Sequence, residues 1–108
     1  MESEIRQSLQ QFLVIGVSHR TCPIGVRENF HLAEQEKEQI ILQAKEYGVN
    51  TLIPVSTCNR TEVYAYTDDS ELITYLFRKL SHANLEDFLA YGYIYKGHAA
   101  IKHLFRVA

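Results

Sequence analysis

Six consecutive polar residues, Ser56-Thr57-Cys58-Asn59-Arg60-Thr61, stand between two apolar stretches. Structural cysteines behave as small hydrophobes and are usually inside. Cys58 sits instead among hydroxyl, amide and guanidinium side chains. The thiolate is the reactive form, and nearby positive charge lowers a thiol's pKa. Arg60, two residues on, is placed either to stabilise such an anion or to grip a substrate carboxylate through its planar fork. Thr57 and Asn59 are candidates to orient a substrate or to donate to a developing oxyanion. The chemistry these types suggest is nucleophilic attack on an activated acyl group. The plainer reading is a hairpin turn whose polar groups satisfy their own backbone, with Cys58 incidental.

The histidines are His19, His31, His82, His98 and His103. With two cysteines and no tight CxxC or HxxxH pairing, no metal site is expected. His103 lies opposite an apolar stripe of Ile101, Leu104, Phe105 and Ala108 on the last helical segment. That makes it a candidate to face a cleft and exchange protons with an acyl leaving group, the alternative being an ordinary exposed histidine. His19 ends an apolar run and reads as a hydrogen-bonded structural residue. The five glycines fall in no GxGxxG or Walker spacing, so no nucleotide-binding loop is expected. The seven tyrosines read as packing residues rather than a base-stacking platform.

These groups need a scaffold, and 108 residues allow one domain. The chain is 46% hydrophobic and 22% charged, in the globular range. A net charge of −2 and a pI near 6.2 argue against a general nucleic-acid coat, though not against contact with one RNA through local arginines. The acidic opening lacks the pattern of a signal peptide, and no apolar run is long enough to span a membrane. The expected setting is soluble, reducing and cytoplasmic, with Cys22 and Cys58 as free thiols.

Residues 1–11 read as a polar lead-in. Residues 12–17 are a continuous apolar run of strand length. Pro23 breaks the pattern, and residues 24–30 are expected to hold a short helix. Residues 34–47 form a helix with Ile40, Ile41, Ala44 and Tyr47 on one face, stopped by Gly48. Residues 51–55 and 62–66 pair as a hairpin around the polar break at 56–61. Asp68, Asp69 and Ser70 cap a helix carrying Leu72, Ile73, Leu76, Phe77 and Leu80. A short helix at 85–89 and a strand at 93–95 complete the order β-α-β-β-α-β. That is an α+β fold of the ferredoxin-like, split-βαβ type: a four-stranded antiparallel sheet with helices on one face. After Gly97 a further helix begins, and its pattern runs to the last residue without a stop signal, as expected of part of a longer protein.

Three stretches resemble the N-terminal catalytic domain of glutamyl-tRNA reductase. They are residues 16–21 (GVSHRT) with Pro23, Arg27 and Glu28; residues 56–62 (STCNRTE); and residues 103–108 (HLFRVA). The resemblance runs from about residue 12 to the end, and the central heptad is its most specific part. It implies that Cys58 attacks the ester of glutamyl-tRNA to give a thioester, which NADPH reduces to glutamate-1-semialdehyde for porphyrin biosynthesis. It further implies that Arg60 holds the glutamate carboxylate in a pocket lined by Thr57 and Asn59, and that His103 polarises or protonates the leaving group. Residues 12–97 would be the nucleophile domain and 98–108 the start of a helix leading to cofactor and dimerisation domains. The implied partners are glutamyl-tRNA, a second copy in the full-length homodimer, and glutamate-1-semialdehyde aminomutase. The family's nicotinamide-binding domain, its dimerising helix and the serine- and glycine-rich stretch after Val-Ala are not in this chain, so reductase turnover by the chain alone is not expected. Cys22 stands where the family has a small residue, a possible competing thiol. Ala33 stands where a serine commonly caps the first long helix, a loss of about 1 kcal/mol.

Two other classes compete with the enzyme. A ferredoxin-like binding or regulatory module would use Arg60 and Asn59 as ligand contacts and leave Cys58 idle. A metal-trafficking domain would carry stoichiometric metal.

Overall fold

The computed structural model describes residues 9–107; most of the lead-in (residues 1–8) and Ala108 lie outside them. The apolar run becomes β1 (Phe12–Ser18), whose five middle residues are buried, as a central strand covered on both faces requires. It is followed by α1 (Ile24–Arg27), a 3₁₀ turn (Glu28–Phe30), α2 (Glu34–Glu46), β2 (Leu52–Ser56) and β3 (Arg60–Tyr66). Then come α3 (Ser70–Leu80), α4 (Leu85–Tyr91), β4 (Tyr93–Lys96) and α5 (His98–Val107). The sheet order is β2-β3-β1-β4 with every neighbouring pair antiparallel, the split-βαβ arrangement expected from the order of elements.

Strand alternation sorts side chains to two faces. Leu13, Ile15, Val17, Val63 and Ala65 point to the face covered by α2 and α3, where Ile40, Ala44, Ile73, Leu76 and Phe77 complete the main core. Phe30, Phe77 and Phe88 meet there with ring centroids 5.7 to 6.5 Å apart, within the aromatic pairing range. The opposite face carries a smaller cluster of Val14, Tyr64 and Ala100, with Phe12, Val55 and Tyr95 against it.

The helix ends follow local chemistry. Asp69 accepts from the Leu72 N–H at 3.0 Å and Asn84 from the Asp87 N–H at 2.8 Å. At α2, Ala33 has no side-chain oxygen to offer, and half of a capping box remains: Glu36 accepts the Ala33 N–H at 2.8 Å. Gly48, at φ +87°, closes the same helix in a Schellman turn, with Val49 N–H to Ala44 C=O at 2.9 Å. That turn corrects one expectation. Tyr47 is 61% exposed, and Val49, beyond the glycine, takes the buried place.

The last helix departs further from its pattern. Leu104 and Phe105 are exposed, Phe105 at 78%, while Ala100 and His103 face the sheet. Of the stripe expected to make this helix's contact, Leu104 and Phe105 point outward and Ile101 is half-buried, whereas the residue expected to lie opposite is buried; Ala108 lies outside the described residues. A buried carboxylate on the sheet is the reason. The tyrosines also divide: Tyr47, Tyr66 and Tyr75 are exposed, so packing does not describe them.

Candidate functional site

The polar break is shorter than its sequence suggests. Ser56 closes β2 and Arg60 opens β3, leaving Thr57, Cys58 and Asn59 as the turn. Thr57 builds that turn. Its N–H reaches the Arg60 carbonyl at 2.8 Å, and its hydroxyl accepts from the Asn59 and Arg60 N–H groups, each at 3.2 Å. The Asn59 carbonyl accepts the His19 N–H at 2.7 Å, tying the tip to the end of β1. His19 is therefore anchored through its backbone, and its ring is exposed at a cavity edge rather than structural as expected.

Cys58 is exposed at the tip and opens into a cavity of about 410 Å³ that it shares with Thr57, Thr61, Arg27, Glu28 and His31. Arg60, Asn59 and His103 line a different cavity, of about 280 Å³, together with His19, Arg20 and Tyr93. The split follows from strand alternation: Arg60 and Glu62 project to the α5 side of the sheet and Thr61 to the other. Of the two residues expected to line the Arg60 pocket, Asn59 does so and Thr57 lies on the Cys58 side, while His103 stands with Arg60.

The guanidinium tied to the Cys58 backbone belongs to Arg27, not to Arg60. Its Nη1 donates to the Cys22 carbonyl at 2.9 Å and its Nη2 to the Cys58 carbonyl at 3.2 Å, so a fixed positive charge borders the Cys58 cavity. Cys22 itself is 2% exposed. Burial pushes its thiol up and Asp87 adds to that, with Arg27 pulling the other way. A buried, protonated thiol is inert, so Cys22 is not a competing nucleophile in the folded chain.

Arg60 is held by Glu62, whose Oε1 accepts from the Arg60 Nε at 2.9 Å and from the Tyr64 hydroxyl at 2.8 Å. The other oxygen accepts from the Tyr93 hydroxyl at 2.5 Å and from the His103 Nε2. Glu62 is 0% exposed, so four donors from β3, β4 and α5 occupy the acceptor sites of one buried carboxylate. Burial alone would push its carboxyl up; the bonds from Tyr93, Tyr64 and His103, and the charge of His103, outweigh it and leave it below the usual glutamate range. The same burial and the same carboxylate push both tyrosine hydroxyls up.

Gly16 makes this cluster possible. It is the β1 residue opposite both Glu62 and Tyr93. A Cβ there would lie 2.5 Å from the Thr61 carbonyl oxygen and 2.8 Å from the Glu62 Cγ. The missing side chain is the passage through which the carboxylate reaches across β1. The His103 ring is flanked by the rings of Tyr93 and Tyr95 at 5.2 and 5.0 Å. Arg60 lines the cavity with its Nε held by Glu62, and a guanidinium so placed suits a carboxylate.

His31, Tyr64 and Tyr93 carried no site signal in the sequence, and Arg27 appeared only as part of the resemblance, because their partners lie on other segments or are exposed only by the fold. Glu62 had one: a carboxylate inside a strand that alternates apolar residues marks a buried charge needing partners.

The profile of the Glutamyl-tRNAGlu reductase N-terminal domain matches residues 15–108. The chain belongs to the glutamyl-tRNA reductase family. Glutamyl-tRNA reductase of Geobacillus kaustophilus is 40% identical over 103 residues, covering 91% of this chain and 23% of the relative. That of Flavobacterium psychrophilum is 35% identical over 107 residues, covering 99% and 26%. The solved glutamyl-tRNA reductase from Methanopyrus kandleri superposes with a TM-score of 0.68 at 21% identity, over 91% of this chain and 22% of that one, and so shares its fold. The chain spans about a quarter of the length of the curated relatives it matches. The nicotinamide cofactor implied by the resemblance finds no site among the described residues, where the sheet pairs antiparallel neighbours and no glycine-rich turn leads from a parallel strand into a helix. Among the described residues no group of three His, Cys, Asp or Glu side chains could hold a metal ion, and no helix is long and apolar enough to cross a membrane.

Proposed function

We propose that this chain is the nucleophile-bearing domain of a glutamyl-tRNA reductase, with Cys58 attacking the ester of glutamyl-tRNA. The observation that carries this reading is the exposed thiol on a turn held by Thr57, opening into a cavity that Arg27 borders. Attack joins Sγ to the ester carbon and drives the carbonyl electron pair onto oxygen; collapse breaks the bond to the terminal ribose and frees the tRNA hydroxyl. The Arg60 fork, set by Glu62, holds the glutamate carboxylate, and the substrate straddles the turn between the two cavities. Asn59 lines the carboxylate side, and Thr57 acts by building the turn. His103 serves the carboxylate side as a partner of Glu62, whereas the leaving-group role assumed a pocket shared with Cys58.

In the full-length, cytoplasmic homodimer the reductant is NADPH and the product glutamate-1-semialdehyde, passed on to its aminomutase. With no nicotinamide site among the described residues, the step this reading assigns to the chain itself is thioester formation. Mixing it with charged glutamyl-tRNA and weighing it intact tests the reading. A single glutamyl adduct mapping to Cys58 supports it; an unmodified chain, or an adduct on Cys22, refutes it.

A further inference from the structure

The cavity beside Cys58 holds a histidine that the acyl-transfer chemistry above leaves unused. His31 follows the 3₁₀ turn, 27 residues from the thiol in sequence, yet its side chain lines the same cavity. Its Nδ1 is held by the Ser56 hydroxyl at 2.9 Å. Ser56 Oγ also accepts the Leu32 N–H at 3.1 Å and lies 3.0 Å from the Thr61 hydroxyl. We propose that His31 is the proton-transfer partner of Cys58, taking the thiol proton on attack and returning it to the departing tRNA hydroxyl.

The hydroxyl pair fits this role. Ser56 has one donor and two acceptor sites. In the neutral tautomer that can take a proton at Nε2, Nδ1–H donates to Ser56, which turns its own proton to Thr61. Protonation at Nε2 leaves those bonds and the Leu32 contact in place. Its other nitrogen shares the cavity with Cys58, and the proposed transfer runs between them through a water. The charged or titratable groups facing the cavity with it are Arg27 and Glu28 from the helical segment and Cys58 from the turn; Thr57 and Thr61 are uncharged.

The step balances. The thiol proton moves to the imidazole, Sγ bonds to the ester carbon, the C–O bond to the ribose breaks, and the imidazolium proton goes to the ribose oxygen. The products are a thioester, a tRNA with a free terminal hydroxyl, and a neutral histidine.

The inference rests on Cys58 being the nucleophile, and the test separates the two. Iodoacetamide alkylation of the 108-residue chain is followed by peptide mass from about pH 5 to 9, an interval spanning ordinary histidine and cysteine titration. The same is done for His31→Gln and Ser56→Ala, with buried Cys22 as an internal reporter of unfolding. The wild-type Cys58 rate should bend twice with pH. In His31→Gln it should bend once and fall roughly 10-fold at neutral pH, as a thiolate losing its counter-charge does. A wild-type profile in His31→Gln overturns the role of His31 while leaving Cys58 in place. Equal labelling of Cys22 and Cys58 in the wild type overturns the nucleophile itself. If His31→Gln exposes Cys22, the comparison passes to Ser56→Ala on the same terms: an altered Cys58 profile supports the relay and an unchanged one rejects it.

Discussion

Glu62 joins more of the candidate site than any other residue. One carboxylate positions Arg60, takes the hydroxyls of Tyr64 and Tyr93, and draws His103 into the sheet face. Glu62→Gln keeps the shape but replaces one acceptor oxygen with an amino group facing donors. A loss of about 3 to 5 kcal/mol is expected, the range for breaking a buried charge network, read from urea unfolding at pH 7. Because the folded carboxyl lies below its unfolded value, the unfolded state binds the extra proton. The contribution of Glu62 is therefore complete above about pH 4.3, the ordinary glutamate value, and is lost as pH falls through the folded value. The gap between wild type and Glu62→Gln should be constant from pH 7 to about 5 and narrow below that. A gap that widens in acid would contradict the cluster. At Arg60, lysine supplies charge without a fork. Arg60→Lys in the full-length reductase should cut kcat/KM by at least ~10-fold, the loss of about one charge-assisted hydrogen bond. Wild-type kinetics would remove the carboxylate assignment.

The elements around these residues place them by alternation and by what is missing. β3 carries Arg60, Glu62 and Tyr64 to one face and Thr61, Val63 and Ala65 to the other, so a single strand feeds two cavities and the main core. β1 admits the carboxylate only because Gly16 has no side chain. Gly16→Ala should cost about 1 to 3 kcal/mol by overpacking, and should disturb Arg60 and Tyr93 before the Phe30–Phe77–Phe88 core. Near-UV circular dichroism and chemical-shift changes localised to β4 and α5 would show this; shifts centred on α2 would not fit. The start of α2 is open to improvement. Ala33→Ser adds the oxygen that completes the capping box begun by Glu36, a gain of about 1 kcal/mol visible as a raised urea midpoint. An unchanged midpoint would mean that the Ala33 end of α2 already finds other partners.

At the scale of the whole molecule, two cavities back onto one three-residue turn, one holding the thiol and the other an anion-binding fork. That arrangement suits a substrate with a reactive ester at one end and a carboxylate at the other, provided it bridges the tip. In the full-length enzyme, Cys58→Ser should abolish aldehyde formation while tRNA binding stays within a few-fold. The nucleophile is one atom at the tip, whereas affinity for a tRNA is spread over many phosphate contacts. Retained turnover would refute the covalent route. Lost tRNA binding would show that the tip is structural.

Local chemistry made much of this protein readable in its one-dimensional form. The branched apolar run of β1, the Gly48 stop, the Asp69 cap and the order of elements led to the split-βαβ sheet, because each depends on neighbours a few residues apart. The residues 56–62 marked the thiol and the fork for the same reason. Contacts closed over long separations could not be read that way. Pattern alone put Leu104 and Phe105 inside and His103 on the opposite side, facing a cleft; the fold turned the two apolar residues outward and buried His103 at a cavity wall, since a buried carboxylate 41 residues away in sequence needed a donor. Pattern also put a guanidinium beside the thiol but chose Arg60. Strand alternation turned that side chain to the far face, and Arg27 reached the turn from across 31 residues. Spacing along the chain says which groups exist and which strand carries them; the partner that satisfies a buried charge or borders a reactive atom depends on which distant segments the sheet brings together.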